Sequence, residues 1–243
     1  MSLAWIMHPC SEQKGRTVNA LHPREPKLTG GPVFSEKGRQ LIKLYANMAR
    51  DGYATQSGDF IKSAYNDFEL GKFKELVQPE FQSFNIKTVL DYGCGGSDWE
   101  ATGFNGVQSA RAYFLLDAVY RYEPARDLDE RQPVDAVTCF DVLEHIFVSD
   151  VPAVLRDILS LADRLAVLNV ACYKANALLP NGENAHITAR HPFWWKGMLD
   201  SLAPEFPDTH ILLFCSTAFN KATVFPLFSD RQRQTDTAFD IEY

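Results

Sequence analysis

The sequence predicts an α/β fold, a doubly wound, seven-stranded, mostly parallel sheet with an N-terminal helical extension. Three observations point there. Short apolar runs alternate with helix-period segments from about residue 85 onward, as strands and crossover helices do. The first of those runs ends in an acid and a glycine turn, Asp91-Tyr92-Gly93-Cys94-Gly95-Gly96, and ligands in open sheets approach such strand ends. At 243 residues, with 46% hydrophobic and 23% charged side chains, the chain has room for one such domain and a helical cap.

Taken in order, residues 1–34 read as an irregular basic lead-in, rich in Pro, Gly and charge. Residues 35–84 read as a helical cap over the cleft of the main domain. Leu41, Leu44, Tyr45 and Met48 recur at helical steps behind Ser35, a good N-cap. Phe68, Phe73, Leu76 and Val77 mark a second helix over about 66–81, and a polar loop at 52–58 separates the two. The main domain spans 85–230. Strand one covers 87–92, and a crossover over 99–116 is made irregular by Gly103 and Gly106. Strand two follows at 119–122, a weak third strand falls within 126–133, and the fourth covers 136–140. A helix over 149–163 buries Val151, Val154, Leu155, Ile158 and Ala162. Strand five covers 165–172, another helix 192–202, and 211–215 and 223–228 supply the last two strands. Residues 231–243 are expected as a tail.

Composition narrows the partners. A net charge of -7 argues against a general nucleic-acid binder, which needs a positive footprint for phosphates. The charge is uneven, since residues 1–50 hold eight Lys/Arg against three Asp/Glu. That start is either a solvated arm or a lip that attracts an anionic substrate. The cysteines, Cys10, Cys94, Cys139, Cys172 and Cys215, form no Cys-x-x-Cys pair, and three of them lie in apolar strand-like runs, where cysteine behaves as a small hydrophobe. No apolar run approaches the roughly 20 residues of a membrane span. Residues 1–8 lack the basic start and cleavage site of a signal peptide, so a cytoplasmic protein without a membrane partner is expected.

Gly93 and Gly95 let backbone approach a ligand without a Cβ in the way, and Ser97 or Asp98 can cap the segment that follows. A dinucleotide would want a third glycine at position 98, where Asp98 instead repels a pyrophosphate. A cationic ligand suits these acids better.

Val89-Leu90-Asp91-Tyr92-Gly93-Cys94-Gly95 resembles motif I of the class I S-adenosylmethionine-dependent methyltransferases, and the resemblance extends over about 87–172. It implies a sheet whose last strand is antiparallel, S-adenosyl-L-methionine as cofactor, and Asp91, Tyr92, Gly93, Cys94 and Gly95 beside its methionine part. In that family an acid ending strand two holds the ribose hydroxyls. Glu123, followed by Pro124, matches it, with Asp117 as the alternative, and Asp127 or Asp129 stands near the adenine. The segment from Val134 to Ile146 is similar to the family's strand-four motif, an acid followed by Leu-Glu-His, which implies that Asp141 and Val142 line the pocket.

On a helical turn over 141–146, Asp141, Glu144 and His145 share one face. With His186 as a fourth ligand they make a set for Mg2+, Mn2+ or Zn2+. The spacing also resembles the metal motif of small-RNA 2′-O-methyltransferases and of ubiquinone-synthesis O-methyltransferases, which carry Glu where this chain has Asp141. In the metal-free alternative Glu144 and His145 orient a helix start, and His145 or His186 is the catalytic base. The polar loop over 181–191 ends in Pro192-Phe193-Trp194-Trp195. There His191 reads as a cap, and the tryptophans are either core anchors or a pocket wall. No Asn-Pro-Pro-Tyr or Asp-Pro-Pro-Tyr follows strand four, which tilts the expectation toward oxygen acceptors. The expected activity is O-methylation of a small-molecule or glycan acceptor. Its rivals are an RNA 3′-end 2′-O-methyltransferase and a non-catalytic cofactor-binding protein of the same fold.

Overall fold

The computed structural model describes residues 31–62, 69–227 and 238–243. Most of the basic lead-in with Cys10, the start of the second helix and much of the tail lie outside these residues.

Helix α1 (Glu36–Asp51) begins where the sequence places it, with the Gly38 amide donating to Ser35 Oγ at 3.0 Å. The segment expected as a polar loop is instead a hairpin, β1 (Tyr53–Ala54) against β2 (Phe60–Ile61). Its turn is held by Thr55 N donating to the Asp59 carbonyl at 2.9 Å, with Gly58 at φ 89°. Helix α2 (Leu70–Ser83) follows.

Among the described residues the main sheet has eight strands instead of seven. They are β3 (Thr88–Tyr92), β4 (Ala118–Glu123), β5 (Leu128–Asp129), β6 (Val134–Phe140), β7 (Ala162–Ala171), β8 (His210–Ala218), β9 (Lys221–Leu227) and β10 (Phe239–Glu242), in the order β10-β9-β8-β7-β6-β3-β4-β5. The central β4, β3, β6, β7 and β8 are parallel, while β5, β9 and β10 pair antiparallel. The additional strand comes from the expected tail. Thr223 Oγ1 donates to Asp240 Oδ1 at 2.6 Å, and Tyr243 packs its ring on Phe73. The weak third strand shrinks to two residues, because between Arg126 and Pro133 only Leu128 is apolar and little burial rewards further pairing.

The period-two alternation of the strands splits the core. Val89 and Val167 face α2, packing with Phe73, Val77 and Phe81. Leu90 and Leu168 face the other way, against α4 (Val151–Leu161) and α5 (Pro192–Leu202). Each such burial stabilises by about 1.5–3 kcal/mol. The crossover after β3 holds only a short helix, α3 (Ala110–Tyr113). The helix expected to reach 163 stops at Leu161, since Ala162 already pairs with Val134 in the sheet.

From β3 the chain runs outward through β4 and β5, then returns to lay β6 on the other side of β3. The carboxyl ends of β3 and β6 therefore flank a switch point, where a crevice is left between the outgoing connections. Among the described residues no helix is long and apolar enough to cross a membrane.

Candidate functional site

A cavity of about 260 Å³ occupies that crevice. Its floor is the glycine turn after β3. Gly93 and Cys94 both donate to the Tyr122 carbonyl, at 2.7 and 3.1 Å, which folds the turn over the end of β4. Gly93 has φ 77° and Gly95 φ 51°, a region where a side chain is strained. A Cβ on Gly93 would also overlap the methyls of Val142, so the glycine allows the ends of β3 and β6 to close on each other.

Three acids face this floor. Asp91 is buried, accepting from Trp99 Nε1 at 2.8 Å, and burial together with the nearby Glu123 charge raises its pKa to about 6. Glu123 ends β4 and accepts from Gly95 N and Ala125 N, both at 3.0 Å, while burial pushes its pKa upward. Each of its oxygens keeps acceptor capacity for a further donor. Pro124 opens the 3₁₀ turn that this carboxylate caps. Asp141 directly follows β6 at φ 57°, a left-handed conformation uncommon outside glycine and concentrated at ligand sites. Cys94 lines the cavity as a neutral thiol, its pKa raised to about 12 by burial and by Asp91. Tyr92 contributes its ring, its hydroxyl donating to Asp157 at 2.9 Å.

Opposite the floor, the loop after β7 brings in His186. Thr188 ties this loop to the turn after β6, its amide donating to the Glu144 carbonyl at 2.8 Å and its hydroxyl to the Ile146 carbonyl at 2.6 Å. Ligand atoms of Asp141, His145 and His186 all lie within 4.8 Å of one another. His145 Nδ1 donates to the Ala185 carbonyl at 2.9 Å and His186 Nδ1 to the Tyr173 carbonyl at 2.6 Å. A carbonyl only accepts, so each ring carries a proton on Nδ1, and in a neutral ring Nε2 is the atom with the lone pair. His145 stays neutral, since burial and the neighbouring His186 lower its pKa to about 4 against the pull of Asp141.

Glu144 is not part of this group. Asp141 is left-handed and residues Leu143–His145 form a 3₁₀ turn, so the α-helical face expected of Asp141, Glu144 and His145 does not exist. Glu144 instead turns under the sheet and accepts from Ala171 N at 2.5 Å. Its burial and the Asp141 charge drive its pKa well above the carboxylate range, a neutral acid unsuited to a cation.

Compared with known proteins, this chain matches no protein-family model and no curated protein. Its chemistry has to be read from the side chains themselves.

Of the residues expected beside a cofactor, Asp91, Tyr92, Gly93, Cys94, Gly95, Glu123, Pro124, Asp141 and Val142 line this cavity, as do His145 and His186. Asp117, Asp127 and Asp129 do not, and Asp129 pairs with Arg131 at 2.6 Å. Asp98 caps a turn, accepting from Glu100 N and Ala101 N, but no helix begins there. Trp195 is a buried core anchor, Trp194 packs beside it, and His191 accepts from Phe193 N as the cap of α5. Sequence reasoning missed Trp99 and Ser97 beside Asp91, and missed Phe147, Ala175 and Ala185 in the far wall. The only signal was their position after strand ends.

Proposed function

We propose that the chain is a class I S-adenosylmethionine-dependent methyltransferase that methylates a hydroxyl, and that its eight-stranded sheet is an enlarged form of the seven-stranded arrangement. The observation that carries this reading is the convergence of Asp91, Glu123 and Asp141 on one cavity at the switch point, over a glycine turn with no basic side chain. Two buried, mutually repelling carboxylates favour a ligand that brings positive charge and a diol. A pyrophosphate would meet these acids and, among the described lining residues, no Lys or Arg.

When bound, S-adenosylmethionine would supply a methyl group on a sulfonium, leaving a neutral sulfide. Asp91 would hold the ammonium group and Glu123 would accept from the ribose hydroxyls. Asp141, His145 and His186 would hold and orient the acceptor hydroxyl. His186 Nε2 would accept the hydroxyl proton. His145, neutral and with a weakly basic Nε2, orients the oxygen.

The same three residues also fit a divalent ion. Two imidazoles and one carboxylate suit Mn2+ better than Mg2+, which prefers an all-oxygen set. The Nδ1–H to carbonyl bonds are the outer support usual for metal-bound histidine. In this second reading Asp141, His145 and His186 would hold the ion, which would supply Lewis-acid activation of the acceptor hydroxyl.

Calorimetry with S-adenosylhomocysteine tests the cofactor assignment. Specific binding is expected, weakened at least about tenfold in Glu123→Ala, which loses the diol acceptor. NAD binding without S-adenosylhomocysteine binding would overturn it. Binding with no turnover across acceptors would favour the non-catalytic alternative.

A further inference from the structure

The far wall of the cavity says more about the acceptor than the strand ends do. Helix α1 presents Leu41, Ile42, Tyr45 and Met48, the hairpin adds Tyr53, and the segment after the 3₁₀ turn adds Phe147. Among the described lining residues there is no Lys or Arg, while Glu69, Asp91, Glu123 and Asp141 are all present. A phosphate or carboxylate entering here would meet several carboxylates and no counter-charge. A sugar fares little better, because each of its hydroxyls loses water and needs a polar partner. The far wall offers two phenols, Tyr45 and Tyr53, fewer than the hydroxyls of a sugar, and Tyr45 Oη already donates to the Ala185 carbonyl at 2.6 Å. A carboxylate and two imidazoles come together at one end, where ligand atoms of Asp141, His145 and His186 lie within 4.8 Å of one another.

Resting on the methyltransferase reading above, we infer that the acceptor is a small uncharged phenol, whose ring lies against the α1 wall and whose hydroxyl meets Asp141, His145 and His186. Aromatic rings pack well against such a wall, edge-to-face with Tyr45, Tyr53 and Phe147. One hydroxyl is all the polar end has to satisfy.

The full-length protein is first titrated with S-adenosylhomocysteine. With that ligand saturating, it is then titrated with 2-naphthol, with a methyl glucoside and with a short oligoribonucleotide carrying a free 3′ end, and methyl transfer to each is followed from labelled S-adenosylmethionine. The expected result is binding and methylation of 2-naphthol alone. In Ile42→Lys, at a half-buried position of α1, 2-naphthol binding should weaken at least about tenfold as a charge enters the apolar wall, with the far-UV circular dichroism and melting temperature retained as proof of folding. Binding of S-adenosylhomocysteine with preference for the glucoside or the oligonucleotide overturns the phenol assignment and leaves the cofactor assignment intact. The phenol assignment also falls if 2-naphthol binds equally well to Ile42→Lys, or if no acceptor binds beside the nucleoside. Failure to bind S-adenosylhomocysteine overturns both.

Discussion

Asp91 concentrates the chemistry of the site in a single group. Burial and the Glu123 charge hold its pKa at about 6, against roughly 3.9 for a free side chain. A bound cation favours the carboxylate, so binding of the proposed cofactor releases a proton below that value. Affinity for S-adenosylmethionine should then be level above pH 6 and fall as pH drops through 6, by up to about tenfold per unit. His145 does not disturb this window, because its pKa of about 4 keeps it neutral throughout. Calorimetry from pH 7.5 to 5 on the wild type and on Asp91→Asn checks the assignment. The variant should bind more weakly at pH 7.5 and with a flatter profile. An unchanged slope in the variant assigns the proton elsewhere. Asp91 itself was legible in the sequence, as the acid ending an apolar strand before glycines. Glu144 was not, because its expected place required α geometry, and the left-handed Asp141 with a 3₁₀ turn redirected it beneath Ala171.

At the scale of elements, α1 is the part of the site that could move. It is fastened at its start by Asp150, which accepts from Ser35 N at 3.1 Å and Ser35 Oγ at 2.8 Å and gives α4 no side-chain cap in return. Further along, Tyr45 reaches the Ala185 carbonyl and Lys37 pairs with Glu183 at 2.7 Å, half exposed and so worth little. The periodicity of α1 was readable, and so was its role as a cover, but not the residues it meets, since these bonds span more than a hundred positions of sequence. The hairpin β1–β2 was unreadable for the same reason. Its strands are two residues long, and it docks through Gln56 Nε2 donating to the Ala175 carbonyl at 2.6 Å. In Asp150→Ala, loss of a buried acceptor should cost about 1–3 kcal/mol, confined to the α1 latch. Amides of residues 38–48 should exchange faster, while those of β6 and β7 keep their protection, and cofactor affinity should drop several-fold. Unchanged exchange in α1 would show that the latch does not hold the helix.

Across the whole molecule, the structure separates a rigid base from a cover. Two large apolar clusters sandwich the sheet, one under α4 and α5 and one under α2 and α3. A third and much smaller cluster, Leu41, Met48, Ala175, Leu179 and Ala185, lies between α1 and the loop after β7, above the cavity. The strands were legible because each carries its burial in its own alternation. Only the α1 half of the small cluster was legible, from the helical period of Leu41 and Met48, because Ala175, Leu179 and Ala185 come from a polar loop with no periodicity. Stability should follow this division. The third cluster buries too little apolar surface to share the cooperativity of the sheet, so it should open with a lower free energy than global unfolding. A ligand that bridges floor and cover stabilises both. S-adenosylhomocysteine at about a hundred times its Kd should add about 2.7 kcal/mol to global stability. Native-state hydrogen exchange should show its largest gain in protection at α1 and at residues 175–186, with only the global increment in β3, β6 and β7. A rise in melting temperature without added protection in α1 would place the ligand on the sheet edge alone and remove α1 from the site.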